Sequence, residues 1–317
     1  MPQSMIEQLD LADVQAFLAT HVDPSVQDVA AAGAGAWSRC FRFRSAERDL
    51  VVRFGRHVDD FLKDRLAAAY AAPGLPIPQV LTIAPAFDGH YAISTRVIGE
   101  PLEQVPPEQW FTLLPAVVQM LDTMRMVELP MASGQGGYGS WDANGQAPFE
   151  SWPAYLLQVG DDTPDLRTYG WKARLANSPI GMQAFEWGMQ RLKQVARADT
   201  PRYLIHGDLI NRNVLVSSNQ ISGVFDWGCG AYGDHLYDLA WFVFWAPWSP
   251  NLDIVALATL LEQHWTMVGY RPAHQAERLM ACYLHIGIAH LAYNAYLGDW
   301  ETLAATAERM YELIVDR

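Results

Sequence analysis

The apolar positions between residues 9 and 22, LDLADVQAFLATHV, recur near helical spacing behind Asp10, a residue suited to an N-cap, and they predict an opening helix. From 35 to 54, GAWSRCFRFRSAERDLVVRF, the pattern changes to alternating and β-branched runs on either side of the charged turn SAERD. That predicts a hairpin behind a glycine-containing loop. Residues 59–72, DDFLKDRLAAAYAA, read as a helix stopped by Pro73 and Gly74, and YAISTRV at 91–97 reads as another strand. Beyond Gly99 and Pro101 the pattern turns helical, with PPEQWFTLLPAVVQMLDTMRMV opening on two prolines, where a first helical turn tolerates them. The change of period places a boundary between a first lobe, residues 1–97, and a second, residues 98–317. In the second, a glycine-rich loop at 131–152 precedes helices running to about Ala198, a compact β section at 202–227 and further helices to Arg317.

The β section, RYLIHGDLINRNVLVSSNQISGVFDWG, has apolar runs at 203–205, 214–216 and 221–225, and the last two flank SSNQ as hairpin strands flank a turn. If Val216 pairs with Ile221, antiparallel register sets Asn213 opposite Val224, and alternation places Asp226 on their face. A carboxylate and an amide oxygen at the open end of a hairpin suit a hard cation such as Mg2+ carrying substrate phosphates. Asp208, in the preceding loop, is left to receive a proton. The plain alternative is a polar turn, since Gly, Asp and Asn are turn formers.

HGDLINRN at 206–213 matches the kinase catalytic-loop pattern H-R-D-L-x-x-x-N with Gly207 in the arginine position, and DWG at 226–228 stands where D-F-G would. The two motifs occur in the kinase order, 18 residues apart from Asp208 to Asp226. A kinase-like arrangement also needs a glycine loop, a cation on the third strand and an acid on the next helix. GAGAWSRCF supplies Gly33 and Gly35 without a third glycine at kinase spacing; LVVR puts Arg53 in the lysine position, and FLKDR puts Asp64 in the glutamate position. The two departures compensate, because a longer cation and a shorter acid span a similar gap while the guanidinium grips α and β phosphates with two donors. An arginine and an aspartate solvated on separate elements is the alternative.

Composition narrows the classes. A chain of 317 residues, half of them hydrophobic and 12 of them tryptophan, can bury a large core in two lobes. A formal charge of -13 disfavours nucleic acid and anionic membranes and would concentrate a cationic small molecule. Cys40, Cys229 and Cys282 are far apart without a CxxC pair, which argues against a disulfide framework or a zinc site; Cys40 and Cys282 read as core fillers. The start of the chain lacks a basic flank before an apolar core, and the longest apolar run, 239–248, is about half a membrane span, so a cytoplasmic location is expected. Neither G-x-S-x-G nor H-E-x-x-H occurs, and nothing positive supports a hydrolase.

Taken together, GAWSRCFRF, LVVR, FLKDR, LPIP at 75–78, HGDLINRNVL, GVFDW and GDHLYDLAWFVFWAPW at 233–248 resemble the aminoglycoside phosphotransferases over about residues 33 to 312. The last stretch is similar to the subgroup acting on hygromycin B. The resemblance implies an α+β, bilobal, protein-kinase-like fold with a small β-rich N-lobe and a larger, mainly helical C-lobe. It implies ATP in the cleft with its adenine against the connector from Thr95 to Val97, and Ser38 in the phosphate loop. Arg53 replaces the family lysine, Asn213 and Asp226 hold Mg2+, and Asp208 is the base or positioning residue for the acceptor hydroxyl. Asp238 matches a brace of the catalytic loop, with a helix N-terminal charge as the alternative. His206 reads as structural, and Arg212 either approaches the γ phosphate or is solvated. The acceptor is expected to be a cationic small molecule bearing a hydroxyl. Asp234, Asp299 and Glu301 would line its cleft unless they are merely solvated, and Trp245 and Trp248 would stack on sugars unless they are core. An amino alcohol or sugar kinase of the same fold, and a catalytically silent nucleotide-binding module, remain open. Neither nucleic acid nor membrane is expected as a partner, and the chain is expected to be a monomer or a weak dimer.

Overall fold

The computed structural model describes residues 5–35, 37–129 and 137–315. Residues 131–136 of the expected glycine-rich loop lie outside the described residues. In chain order, α1 (Met5–Gln8) and α2 (Leu11–His21) precede β1 (Gln27–Ala34), β2 (Ser38–Ser45) and β3 (Arg48–Gly55). Next come α3 (Val58–Ala67), β4 (Val80–Ala86), β5 (Gly89–Thr95) and the short β6 (Glu100–Pro101). They are followed by α4 (Pro107–Met126), β7 (Gly139–Ser140), α5 (Trp152–Gln158), α6 (Trp171–Leu175) and α7 (Pro179–Val195). Then β8 (Tyr203–Ile205), β9 (Val214–Ser217), β10 (Gln220–Val224) and β11 (Ala231–Gly233) lead into α8 (Leu236–Trp245), α9 (Ile254–Met267), α10 (Gln275–Leu297) and α11 (Trp300–Val315). The chain forms two compact units. The described residues up to Leu102 make the first together with Asp142–Gly145 and Arg212–Gly228, and the other described residues make the second.

The first unit is built on an antiparallel sheet ordered β1-β2-β3-β5-β4. Strand alternation assigns its faces. Phe41 and Phe43 of β2 and Leu50, Val52 and Phe54 of β3 join Val14 and Leu18 of α2 in one buried cluster. Phe17 of α2 packs edge-on against Phe54 and Tyr91, at ring separations of 5.3 and 5.1 Å. Burying each such ring contributes about 1.5–3 kcal/mol. Asp10 starts α2 as expected, in a reciprocal cap in which its side chain accepts from the Asp13 amide at 2.9 Å. The opposite parity, which carries Cys40 and Arg53, faces α3. Cys40, expected as core filler, is therefore a half-buried neighbour of Arg53 across the β2–β3 ladder.

β1 was not expected. Its sequence, QDVAAAGA, is poor in strand formers, and pairing with β2 through two register shifts holds it in the sheet. The same unit contains the small sheet β10-β9-β6. In its hairpin the turn residues Ser218 and Asn219 both have positive φ, the handedness a two-residue hairpin requires.

In the second unit α10 is the central element, buried along most of its length and packed against α7, α8 and α11. A three-stranded sheet, β7-β11-β8, supports the loop after β8. Among the described residues no helix is long and apolar enough to cross a membrane.

Candidate active site

In the first unit Arg53 projects from the α3-facing side of β3. Its Nη2 donates to Asp64 Oδ2 of α3, and its Nη1 lies 3.5 Å from Asp226 Oδ1. Its guanidinium also lies over the Phe61 ring, 4.8 Å from the centroid. The other Asp64 oxygen, Oδ1, accepts from the Trp227 amide at 2.7 Å. Lys63, one residue earlier on α3, donates to the Gly228 carbonyl at 2.9 Å. Burial opposes the charge on Arg53, but Asp64 and Asp226 more than restore it, and its pKa lies above the ordinary arginine value. Burial pushes the Asp64 carboxyl up to about 6 against the pull of Arg53. A small cleft of about 60 Å3 opens here, with Gly35, Trp37, Ser38, Arg53, Asp60 and Asp226 in its lining.

Ser38 begins β2 beside Gly55, and its carbonyl accepts from the Gly35 amide at 2.9 Å, so the thin glycine loop is closed by its own backbone. At the connector, the Thr95 amide donates to Gln79 and the Arg96 amide to Asp49, while Val97 packs against Gly223 of β10. Backbone donors for a base would therefore have to come from beyond Arg96.

The hairpin register departs from expectation by one residue. Val216 pairs with Ile221, but a bulge between Ile221 and Gly223 then pairs Val214 with Val224. Asn213 consequently faces Phe225, whose amide donates to the Asn213 carbonyl at 3.0 Å, rather than Val224. Asp226 does not share that face by alternation. It leaves the strand with φ +63, a left-handed conformation unusual for a side-chain-bearing residue, and that turn carries its carboxylate to Arg53. Asn213 is buried at 5% exposure, while the Asp226 side chain is 48% exposed.

In the second unit the loop after β8 presents Asp208. Asp238, at the start of α8, accepts the His206 amide at 3.0 Å and the Gly207 amide at 2.8 Å. It is therefore tied to the loop backbone, whatever its position near a helix start. His206 is fully buried, and its Nδ1 accepts from the Asp208 amide at 3.2 Å. Asn211 donates to Asp208 Oδ1 at 2.5 Å. Gly207 has φ +77, and a side chain there would also press on the Cys229 carbonyl. This accounts for glycine where protein kinases carry arginine. Burial raises the Tyr293 hydroxyl pKa, and the nearby Asp208 charge adds to the effect.

Asp234 requires a correction. Its side chain is fully buried, and both its oxygens accept from Arg278, from Nε at 2.7 Å and from Nη2 at 2.5 Å. It has no surface to offer an acceptor; an internal ion pair consumes it. Asp299 and Glu301 are exposed at the start of α11, where Asp299 Oδ1 accepts from the Thr302 amide at 3.0 Å, a helix-capping role. Arg212 is exposed with φ +61. Trp248 is exposed and Trp245 half-buried, with ring centroids 5.2 Å apart. Sequence reasoning passed over Lys63 and Asp60, which flank the expected Asp64, and Asn211, which lies inside HGDLINRN.

A family model described as "Phosphotransferase enzyme family" matches residues 28–275. Hygromycin-B 4-O-kinase of Escherichia coli is 29% identical over 314 residues, covering 97% of this chain and 86% of that protein. A thermostable mutant of aminoglycoside phosphotransferase APH(4)-Ia, solved as a ternary complex with ADP and hygromycin B, superposes with a TM-score of 0.80 at 27% identity, covering 95% of this chain and 98% of that one. An aminoglycoside-3'-phosphotransferase of type VIII, at 15% identity with a TM-score of 0.57 and covering 90% and 98% of the two chains, shares the fold.

Proposed function

The chain belongs to the phosphotransferase enzyme family, and on that premise we propose that it moves the γ-phosphoryl group of ATP to a hydroxyl of an aminoglycoside such as hygromycin B, an activity that would confer antibiotic resistance. The observation that carries this reading is the preparation of Asp208. A side chain on each side of it fixes its position: His206 holds its amide, and Asn211 holds one carboxylate oxygen. So held, the carboxylate would take the proton of the acceptor hydroxyl as that oxygen bonds to the γ phosphorus and the bond from the γ phosphorus to the departing ADP breaks, while Asp238 keeps the loop backbone in place. Such a reaction proceeds by positioning and charge neutralisation rather than by a covalent intermediate.

Nucleotide binding is assigned to the lobe of residues 1–97, and acceptor binding and catalysis to residues 98–317. Arg53, pinned by Asp64 and Asp226, neutralises phosphate charge from a fixed direction. Asp226 offers a half-exposed carboxylate at the cleft, and the buried Asn213 carries a side-chain amide oxygen; both are hard oxygen donors of the kind Mg2+ takes. When bound, that ion would draw charge from the phosphate oxygens. The strongly acidic chain suits a polycationic acceptor.

Labelled ATP offered with hygromycin B, other aminoglycosides, amino alcohols and sugars tests the assignment, and hygromycin B is expected to be phosphorylated. Turnover of a metabolite with every aminoglycoside inert would reject the acceptor class. Asp208→Ala is expected to retain ATP binding in a thermal-shift titration and to lose about 10²–10⁴-fold in kcat. Wild-type turnover in that variant would reject Asp208 as the base.

A further inference from the structure

The turn Asp226–Gly228 is gripped on both backbone polarities by adjacent residues of α3. Asp64 receives the Trp227 amide, and Lys63 donates to the Gly228 carbonyl at 2.9 Å. A third residue of the helix comes close, since a β-carbon at Gly228 would lie 3.4 Å from Asp60 Oδ1 and 3.7 Å from Asp226 Oδ1. Positions 60, 63 and 64 are spaced i, i+3, i+4 and share one helical face. That face is applied to the segment that carries the carboxylate assigned to the metal, at the point where its backbone adopts φ +63.

We propose that Lys63 is a positioning residue for phosphoryl transfer, locking the turn after β10 so that the Asp226 carboxylate stays aimed into the cleft beside Arg53. The inference rests on the function proposed above. A left-handed aspartate persists only where its surroundings hold it, and the two ties from α3 are that restraint. Arg53 cannot replace Lys63, because it is engaged on side-chain carboxylates, whereas Lys63 alone of the two grips the backbone. Substituting Lys63 removes a carbonyl partner and leaves the Arg53–Asp64 pair intact, so the effect falls on the aim of Asp226 rather than on the core of the unit.

Lys63→Met keeps the apolar stem and deletes the donor, while Lys63→Arg keeps a donor. Three quantities are measured: amide exchange of the peptide spanning 225–229, ATP affinity against free Mg2+ with no acceptor present, and kcat. In Lys63→Met we expect exchange to accelerate at that peptide, the Mg2+ needed for half-maximal ATP binding to rise about 5–10-fold, and kcat to fall about 10-fold, as for a small misplacement of a reacting group. Magnesium-free ATP affinity should be unchanged, and Lys63→Arg should stay within about 3-fold on every measure. Lys63→Leu, which also lacks a donor, provides the same readings should the methionine variant fail to fold. Unchanged exchange would show that Lys63 does not hold the turn; faster exchange with unaltered magnesium dependence and kcat would show that the hold is irrelevant to transfer. Either result overturns the proposal and leaves the phosphotransferase reading standing. A wild type that binds no ATP at any magnesium concentration overturns both.

Discussion

Asp238 is a carboxylate almost without water, facing two backbone amides. Burial pushes it up to about 6 from an ordinary 3.8, the His206 and Gly207 amides opposing the shift. A carboxyl whose folded pKa exceeds its unfolded one contributes stability fully below the unfolded value, and that contribution is lost as pH rises through the folded value. The stability of the wild type relative to Asp238→Asn should therefore fall between pH 4 and pH 7, by at most about 3 kcal/mol, and stay level above. Urea unfolding of the two proteins across that range checks it, and a level difference throughout would mean that the carboxylate is not perturbed. The same residue shows what one-dimensional reading leaves open. Its place at the start of α8 suggested either a brace or a helix-end charge, and only the fold, by bringing loop amides to both its oxygens, distinguishes them. Asp234, four positions earlier, is the opposite case. The sequence marks it as an acid near the site, but its partner Arg278 lies 44 residues on, and no local pattern announces a contact at that separation.

At the scale of elements, period and turn chemistry carried most of the information. The capped α2, the β2–β3 hairpin, the proline-opened α4 and the three runs of the β section were all legible, because each is decided by neighbours in sequence. β1 and β11 were not, since an alanine-rich strand and a three-residue strand exist only through the partners they pair with. The bulge in β10 escaped for a related reason: one extra residue around Ser222 costs the ladder little and leaves the apolar pattern intact, yet it moves Asn213 from Val224 to Phe225. In β11, Gly233 lies under Trp152 of α5, where an added β-carbon would meet the indole at 2.1 Å. Gly233→Ala should therefore destabilise by about 1–3 kcal/mol or more, as overpacking does. Calorimetry should show the melting temperature lowered by several degrees, and an unchanged value would mean that the strand can shift away from the ring at no cost.

For the molecule as a whole, the dominant long-range property is its charge of -13 at pH 7. A polycationic acceptor should feel that field before it reaches any specific contact. Raising salt from 50 to 300 mM is expected to increase KM for such an acceptor several-fold and to leave kcat nearly constant, because screening shortens the reach of the field to a few ångströms. An uncharged acceptor should show no such trend, and a salt-insensitive KM for the cation would assign recognition to short contacts alone. The chain's routing has its own consequence. The first unit is interrupted at Leu102 and completed only by Arg212–Gly228, the segment bearing the bulged hairpin and Asp226. During synthesis at about 5–20 residues per second, the early sheet must wait on the order of ten seconds on the ribosome for its last piece. Through that interval the nascent N-terminal strands are exposed to chaperones and proteases.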